Sequence, residues 1–144
     1  MSVARAWVDG ASRGNPGDAG FGVLFDLDGH REEIVGFLGR TTNNVAEYAA
    51  LVAALTHAVE SGCEELELFS DSQLLVRQLE GAYRVKAAHL VPIFLRVLSL
   101  RRRLERFTIH HVPREQNREA DALANRAIDQ REPAPAWFEL EIPV

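Results

Sequence analysis

Alternation of hydrophobic and polar residues marks the first forty residues as β-structure. In the stretch Val3–Asp9 every second side chain is small and apolar, which predicts a strand that ends on a carboxylate. The stretch Gly10–Gly17 is rich in glycine and predicts a turn. Residues 21–26 and 33–38 predict two more strands on either side of Asp28-Gly29, so we expect an antiparallel meander.

The rest of the chain predicts helices alternating with strands. Residues 45–61 are rich in alanine and leucine, follow a Thr-Thr-Asn-Asn stretch suited to an N-cap, and stop at Gly62. The later elements are predicted as strand, helix, helix, strand and helix over residues 66–70, 72–80, 90–104, 107–112 and 118–130. The order β-β-β-α-β-α-α-β-α predicts an α/β fold in which strands separated by helices are parallel.

Composition limits the classes of function. A chain of 144 residues fits one domain, and its single cysteine, Cys63, excludes an intramolecular disulfide and fits a reducing compartment. The N-terminus lacks the apolar core of a signal peptide, and no apolar stretch is long enough to span a membrane. We therefore expect a cytoplasmic protein with no membrane association. The net charge of −5, taken alone, argues against a nucleic-acid binder.

That net charge is an average over blocks of opposite sign. Residues 1–71 carry a net charge of −8, residues 72–118 carry +7, and residues 119–144 carry −4. A phosphate-rich partner is therefore compatible with the central block. The run Arg101–Arg103 within it is equally explained as a solvated helix end that the helix dipole favours.

Four carboxylates stand at the ends of predicted elements. Asp9 closes the first strand and Asp71 follows the fourth, so both emerge at one edge if these strands are parallel neighbours. Glu47 falls in the first turn of the main helix, and Asp121 in the first turn of the last helix. Position alone leaves a structural alternative open for each, because such residues are often turn formers or caps.

Short sequence words surround these carboxylates. They read DGASRGNPG from Asp9, TNNVAEY from Thr42, SDSQ from Ser70, VPREQN from Val112 and ADALAN from Ala120. In this order, across about residues 3–130, they resemble type 1 ribonuclease H. Within that family the chain is most similar to the compact prokaryotic branch, because the connection between residues 81 and 90 is too short for the basic substrate-binding protrusion.

The resemblance implies the ribonuclease H fold, with a five-stranded mixed sheet whose first three strands are antiparallel and whose two faces carry helices. It implies hydrolysis of the RNA strand of RNA/DNA hybrids, leaving 5′-phosphate and 3′-hydroxyl ends. The family's metal-binding and catalytic carboxylates carry over as Asp9, Glu47, Asp71 and Asp121. We expect these to hold two Mg²⁺ ions, with Mn²⁺ as a substitute.

The expected chemistry explains this set of residues. In-line attack on a phosphodiester needs an activated water and a stabilised leaving oxygen, which two divalent ions about 4 Å apart supply. Magnesium prefers oxygen ligands such as carboxylates. Carboxylates crowded together repel one another when no metal is bound, so at least one pKa should be raised.

Substrate contacts are also implied by the resemblance. It assigns contacts with the two strands to four amide side chains, Asn15, Asn43, Asn44 and Gln73. Thr42, Arg84 and Lys86 are expected to meet phosphates of the DNA strand. The alternative interpretations are that Asn43 or Asn44 is only a helix N-cap and that Asn15 only forms a turn.

The chain departs from the family pattern in one loop. Many members carry a histidine just before the last helix, but here residues 112–117 form a short link, and His110 and His111 fall within the strand pattern. Arg114 or Glu115 would then occupy the vacated space. A strand histidine is more often structural than catalytic.

Domain organisation and competing functions complete the predictions. We expect residues 1–130 to form the domain and the tail, residues 131–144, to dock on it, since exposed aromatic pairs such as Trp137-Phe138 are uncommon. We expect a monomer without an obligate protein partner. Three functions stay open: a hybrid ribonuclease, a broader nuclease that also cuts double-stranded RNA, and a module that only binds nucleic acid. The intact set of four carboxylates favours the first.

Overall fold

The structure, a computed structural model, describes residues 2–142. Met1, Pro143 and Val144, at the ends of the predicted domain and tail, lie outside these residues. The strands are β1 (Val3–Gly14), β2 (Gly17–Leu27), β3 (His30–Thr41), β4 (Glu65–Ser70) and β5 (Arg106–His111). The helices are α1 (Asn43–Glu60), α2 (Gln73–Leu79), α3 (Val91–Arg101) and α4 (Arg118–Asp129), with short 3₁₀ turns at Ala88–Leu90 and Arg114–Gln116.

The five strands form one mixed sheet in the order β3-β2-β1-β4-β5. β1 pairs with β2, and β2 with β3, in antiparallel fashion, whereas β4 runs parallel to both β1 and β5. This arrangement confirms the predicted fold class and its antiparallel first three strands. The parallel pairs are those joined through helices, as crossover connections require.

The first hairpin is longer than the alternation predicts. β1 continues through Asp9 and stays paired with β2 to its last residue, Gly14. The predicted turn over Gly10–Gly17 is therefore wrong, and the actual turn comprises only Asn15 and Pro16. Gly10 lies inside the strand because α1 packs directly against it. A Cβ at Gly10 would lie 2.3 Å from the backbone carbon of Ala46, so only glycine fits there.

Helices cover both faces of the sheet. Phe21 and the residues paired with it face α1, and a Cβ on Gly22, its neighbour in β2, would instead lie 2.6 Å from the backbone nitrogen of Ala124 in α4. Since successive strand residues point to opposite faces, α1 and α4 lie on opposite sides. No helix between residues 2 and 142 is long and apolar enough to cross a membrane.

The main core lies between the sheet and α1. The apolar pattern of the sequence predicts six core residues, of which five lie fully inside this core: Phe21, Leu51, Leu55, Leu66 and Leu68. The sixth, Phe37, is only half-buried and lies beneath the Arg131 guanidinium, 4.9 Å from the ring centre. Cys63 is buried, in keeping with a packing role.

The described part of the tail, residues 131–142, lies against β3 and the core. The backbone N–H of Phe37 on the outer side of β3 donates to the carbonyl of Glu132 at 2.7 Å. The ring of Phe138 packs 4.8 Å from that of Phe21, and Trp137 stacks on His57 at 5.5 Å. The register between β2 and β3 shifts at Ala19/Gly20.

These contacts predict that the tail contributes to stability. Phe138→Ala should lower the free energy of unfolding by about 2 kcal/mol, because it removes half-buried apolar surface and leaves Phe21 partly uncovered. Urea denaturation with an unchanged m value would measure the difference. Leu95→Ala is the matched control, since Leu95 is 57% exposed and its loss should change the free energy by less than about 0.5 kcal/mol. Equal effects of the two substitutions would argue against a packed tail.

Candidate active site

The parallel pairing of β1 with β4 brings two carboxylates together. The pairing ends with Val8 opposite Ser70, and the next residues are Asp9 and Asp71. The sequence predicted that Asp9 ends the first strand, but β1 continues beyond Asp9 beside β2. Asp9 is nevertheless the first residue beyond the segment paired with β4, and Asp71 is the first residue after β4. The predicted juxtaposition of the two residues is therefore confirmed, although the predicted strand end is not.

α1 supplies a third carboxylate. Thr42 is its N-cap, since the Thr42 side chain accepts a hydrogen bond from the backbone N–H of Val45 at 3.2 Å, so neither Asn43 nor Asn44 caps the helix. Because the helix begins at Asn43, Glu47 lies in the second turn and not in the first. The close approach of α1 to Gly10 places Glu47 beside the end of the β1–β4 pairing.

Asp9, Glu47 and Asp71 form what we call the acidic triad. Each offers one carboxylate oxygen, and these oxygens all lie within 4.8 Å of one another. Asp121, in the first turn of α4, is not part of this group, but it lies close enough to Asp9 for the two carboxyls to share a hydrogen bond. The structure thus brings together three of the four predicted carboxylates and places the fourth against one of them.

Burial and repulsion raise the pKa of the Asp9 carboxyl to about 9. Burial is the largest cause, since only 8% of the residue is exposed, and it disfavours the charged form. The negative charges of Asp71 and Glu47 act in the same direction, as does the hydrogen bond with Asp121. Asp9 therefore holds a proton at neutral pH unless a positive charge replaces it.

Some groups around Glu47 raise the pKa of its carboxyl, and others lower it. Burial raises the pKa of the Glu47 carboxyl to about 7, and the charge of Asp71 adds to this effect. Hydrogen bonds from Ser72 and Asn43 and the positive charge of Arg114 lower it. Arg114 therefore lies near the triad, in the loop where the sequence suggested that it would occupy vacated space.

Two amide side chains next to the triad fix its outer edge. Asn43 Nδ2 donates to Glu47 Oε1 at 3.2 Å, one helical turn along α1. The backbone N–H of Asn43 in turn donates to Asn15 Oδ1, at 3.0 Å, in the turn between β1 and β2. Asn43 thus contacts Glu47 directly, Asn15 reaches it through Asn43, and the Asn15 side chain does more than form a local turn.

Asn117 is a site residue that sequence reasoning missed. It is 1% exposed, and its Nδ2 donates to the Val8 carbonyl at 2.9 Å and to Asp71 Oδ2 at 3.4 Å. It therefore connects the start of α4 to both chain segments at the end of the β1–β4 pairing. Asn117 closes the VPREQN word, but one buried polar residue before a helix has no periodic signal to single it out.

The other predicted substrate residues line two separate grooves that both border α2. Gln73 opens α2 directly after its N-cap, Ser72, and lines an open depression of about 390 Å³ together with His111. Another open groove of about 520 Å³ is lined by residues that include Asn44, Tyr83, Arg84 and Lys86. The predicted contacts are therefore not brought to a single point.

The histidines of β5 lie outside the acidic triad. His110 Nε2 lies 3.4 Å from Glu67 Oε2, and its ring stacks on Phe69 at 5.2 Å, so it is held on the sheet surface. His111 ends β5 opposite Ser70 and is exposed. Between α2 and α3 only residues 80–90 intervene, with a single 3₁₀ turn and no protruding helix.

The donor set of the triad fits a hard divalent cation. Closely spaced carboxylate oxygens are the ligands that Mg²⁺ and Mn²⁺ accept. Burial is the largest cause of the raised pKa at Asp9 and Glu47, and neighbouring negative charge, which a cation would compensate, adds to it. Asp9, Glu47 and Asp71 would hold such an ion, and Asp121 would extend the ligand set from the side of α4.

Without metal, these pKa values predict that stability falls as pH rises. In the folded protein both carboxyls keep protons that the unfolded chain has released, so the free energy of unfolding decreases from the unfolded Asp pKa of 3.8 up to about 9. Asp9→Asn removes the carboxyl with the larger pKa shift, and with it the larger part of this loss of unfolding free energy. In chelator at about pH 8 it should raise the melting temperature by about 3 °C or more and flatten its pH dependence.

The same experiment tests metal binding. Millimolar Mg²⁺ should raise the melting temperature of the wild type more than that of Asp9→Asn. At a given concentration, a ligand that binds the folded state more tightly stabilises it more. Asp18→Asn, an exposed acid-to-amide change in β2, is the control and should behave like the wild type. Equal shifts in the wild type and Asp9→Asn would exclude Asp9 from the metal site.

Comparisons with known proteins agree with this geometry. The reverse transcriptase-like family matches residues 7–127. The chain is 47% identical to a ribonuclease HI of Halobacterium salinarum over 87% of its own length and 64% of that protein. It is 34% identical to a ribonuclease H of Alkalilimnicola ehrlichii, with 91% of this chain and 98% of that protein covered.

A solved structure shows the same fold with a nucleic acid bound. The LC11 ribonuclease H1, crystallised with an RNA/DNA hybrid, is 38% identical, has a TM-score of 0.83, and is matched over 89% of this chain and 98% of its own. The chain spans as little as 34% of other relatives, such as a Mycobacterium bovis protein. The matched region nevertheless includes all four carboxylates, and the chain belongs to the type 1 ribonuclease H family.

Proposed function

We propose that the protein is an endoribonuclease that hydrolyses the RNA strand of RNA/DNA hybrids. The observation that carries the proposal is the acidic triad, whose carboxylate oxygens lie within 4.8 Å of one another on the fold of this family. The relative solved with an RNA/DNA hybrid supports the choice of substrate. We further propose that the products carry 5′-phosphate and 3′-hydroxyl ends.

Two divalent ions, Mg²⁺ with Mn²⁺ as a substitute, are the proposed cofactors. When bound they would activate the attacking water and stabilise the leaving oxygen. Asp9 and Asp71 would lie at the centre of the site, with Glu47 on the α1 side and Asp121 on the α4 side. Burial raises the pKa of Asp9 and Glu47, and repulsion between the carboxylates adds to the shift. That repulsion supports this ligand set, since positive charge relieves it.

Neutral hydrogen-bond donors orient the triad for this task. Asn43 fixes one oxygen of Glu47, and Asn117 fixes one oxygen of Asp71 while holding the Val8 carbonyl. Each donor leaves the charge of its carboxylate in place and leaves the other oxygen free for a cation. Such fixed orientation is what places reacting groups within the narrow geometry that catalysis needs.

We propose that the substrate lies across the triad with one strand on each side. Asn15, Asn43 and Gln73 would contact the strands near the cleaved bond, where amides suit the hydroxyl-rich minor groove of a hybrid. Asn44, Arg84 and Lys86 line the open groove beyond the start of α1, and Thr42 would join them on the DNA phosphates. The excess positive charge of residues 72–118 supports this placement.

Two alternatives are weaker. The first is a nuclease that also cuts double-stranded RNA, and one observation speaks for it. The short connection between α2 and α3 limits the contacts that select a DNA strand. A module that only binds nucleic acid is disfavoured, because buried carboxylates near a phosphate would oppose binding. We also propose that the protein acts as a cytoplasmic monomer without an obligate protein partner.

A cleavage assay separates these functions. With Mg²⁺ or Mn²⁺ the wild type should cut a matched hybrid, cut double-stranded RNA more slowly if at all, and leave DNA duplex intact. Asp9→Asn should lose activity on the order of 10³-fold, since it removes several kcal/mol of charge stabilisation. Asp18→Asn should stay active. Binding without cleavage in either metal would overturn the proposal, and products lacking a 5′-phosphate would overturn the proposed ends.

The groove assignment is tested by the salt dependence of binding. In the Asp9→Asn background, Lys86→Ala should reduce the slope of log affinity against log salt by about one, because each phosphate contact releases roughly one counterion. Arg102→Ala is the matched control, as Arg102 is exposed at the end of α3 and should leave the slope unchanged. An unchanged slope for Lys86→Ala would remove Lys86 from the substrate groove.

A further inference from the structure

Two polar side chains follow Asp121 along one face of α4. Asn125 and Asp129 lie four and eight residues after it, so they stack one turn apart on the same side of the helix. Asn125 Nδ2 donates to the Asp121 backbone carbonyl at 2.9 Å and to Asp121 Oδ1 at 3.4 Å. The Asp121 carboxyl, which is exposed, is thus contacted by Asn125 as well as by Asp9.

Arg13, near the end of β1, closes this row. Its Nη2 donates to Asn125 Oδ1 at 2.9 Å, and its Nη1 lies 2.9 Å from Asp129 Oδ1. The two contacts tie the guanidinium to consecutive turns of α4, so its position is set by Asp129 as well as by Asn125. Arg13 does not contact Asp121 in these bonds and acts on it through the amide.

The chemistry of an amide gives this arrangement a direction. The oxygen and nitrogen of an Asn side chain can exchange places by rotation, whereas a guanidinium only donates. With Arg13 present, Asn125 Oδ1 must face Arg13, and Nδ2 must face Asp121. Without Arg13 the amide oxygen loses its hydrogen-bond donor, and the Asn125 side chain is then fixed from the Asp121 side alone.

A similar arrangement holds the opposite side of the acidic triad. There Asn43 lies one turn from Glu47 and donates to it, and Asn43 is itself held by Asn15. Asn15 lies in the turn between β1 and β2, and Arg13 lies two residues before it, near the end of β1. One hairpin end thus supports an amide beside each of the two outer carboxylates, Glu47 and Asp121.

We propose that Arg13 and Asn125 are positioning residues that hold the Asp121 carboxylate in the orientation needed to bind a divalent cation. The inference rests on the proposed function, because it takes Asp121 as a metal ligand. Hydrogen-bonded partners behind a ligand typically change metal affinity 10- to 100-fold when they are removed. Because the contacts are at the surface, their loss should affect metal binding far more than stability.

The test is a double-mutant cycle on metal affinity. Isothermal titration of the full chain with Mn²⁺ would compare the wild type, Arg13→Ala, Asn125→Ala and the double variant. We expect Asn125→Ala to weaken Mn²⁺ binding about 10-fold and Arg13→Ala somewhat less. The double variant should be no weaker than Asn125→Ala, because Arg13 acts only through the amide. Melting temperatures in chelator should stay close to that of the wild type.

Arg5→Ala is the matched control. Arg5 also lies on β1 and makes one exposed contact, its Nε lying 3.1 Å from Glu67 Oε1, so its removal should leave Mn²⁺ affinity unchanged. Unchanged Mn²⁺ affinity in Asn125→Ala or Arg13→Ala, or additive losses of affinity in the double variant, would overturn the positioning role while leaving the proposed function intact. A wild type that neither binds Mn²⁺ nor cuts hybrid would overturn the proposed function itself.

Discussion

The parallel pairing of β1 with β4 is the constraint on which the acidic triad depends. It ends at Val8 and Ser70, so the two residues that follow, Asp9 and Asp71, emerge side by side at a point where one strand stops and the other continues. The absence of a side chain at Gly10 then lets α1 approach the sheet closely and adds the third carboxylate. Backbone geometry thus determines the spacing of the charges before any side-chain contact is made.

Gathering these charges works against folding, and the surrounding residues limit the penalty without removing the charge. Asn43 and Ser72 donate to Glu47, and Asn117 donates to Asp71, but all three donors are neutral. An arginine or lysine in their places would form an ion pair that a metal ion must break. Neutral donors orient the carboxylates and leave their charge available, which explains why amides and hydroxyls, and not basic residues, make these contacts.

The sequence predicted the sheet well, because strand alternation is strong, and the specific words pointed to four carboxylates, of which three converge and the fourth lies beside Asp9. The sequence-based predictions were wrong where contacts with another element determine the bounds of a strand or helix. β1 extends beyond Asp9 because β2 pairs with it, and Glu47 lies a turn deeper than predicted because the cap is Thr42. Phe37 follows the strand pattern but faces the less protected side, and a buried amide such as Asn117 has no periodic signal.

The contact between Phe37 and Glu132 has a consequence for behaviour at high concentration. β3 is a twelve-residue strand at the edge of the sheet, and such an edge is a template on which other chains can pair and aggregate. The tail already uses one of its outward N–H groups, and the register shift at Ala19/Gly20 interrupts the regular ladder beside it. The segment that completes the core therefore also guards the protein against intermolecular β-pairing.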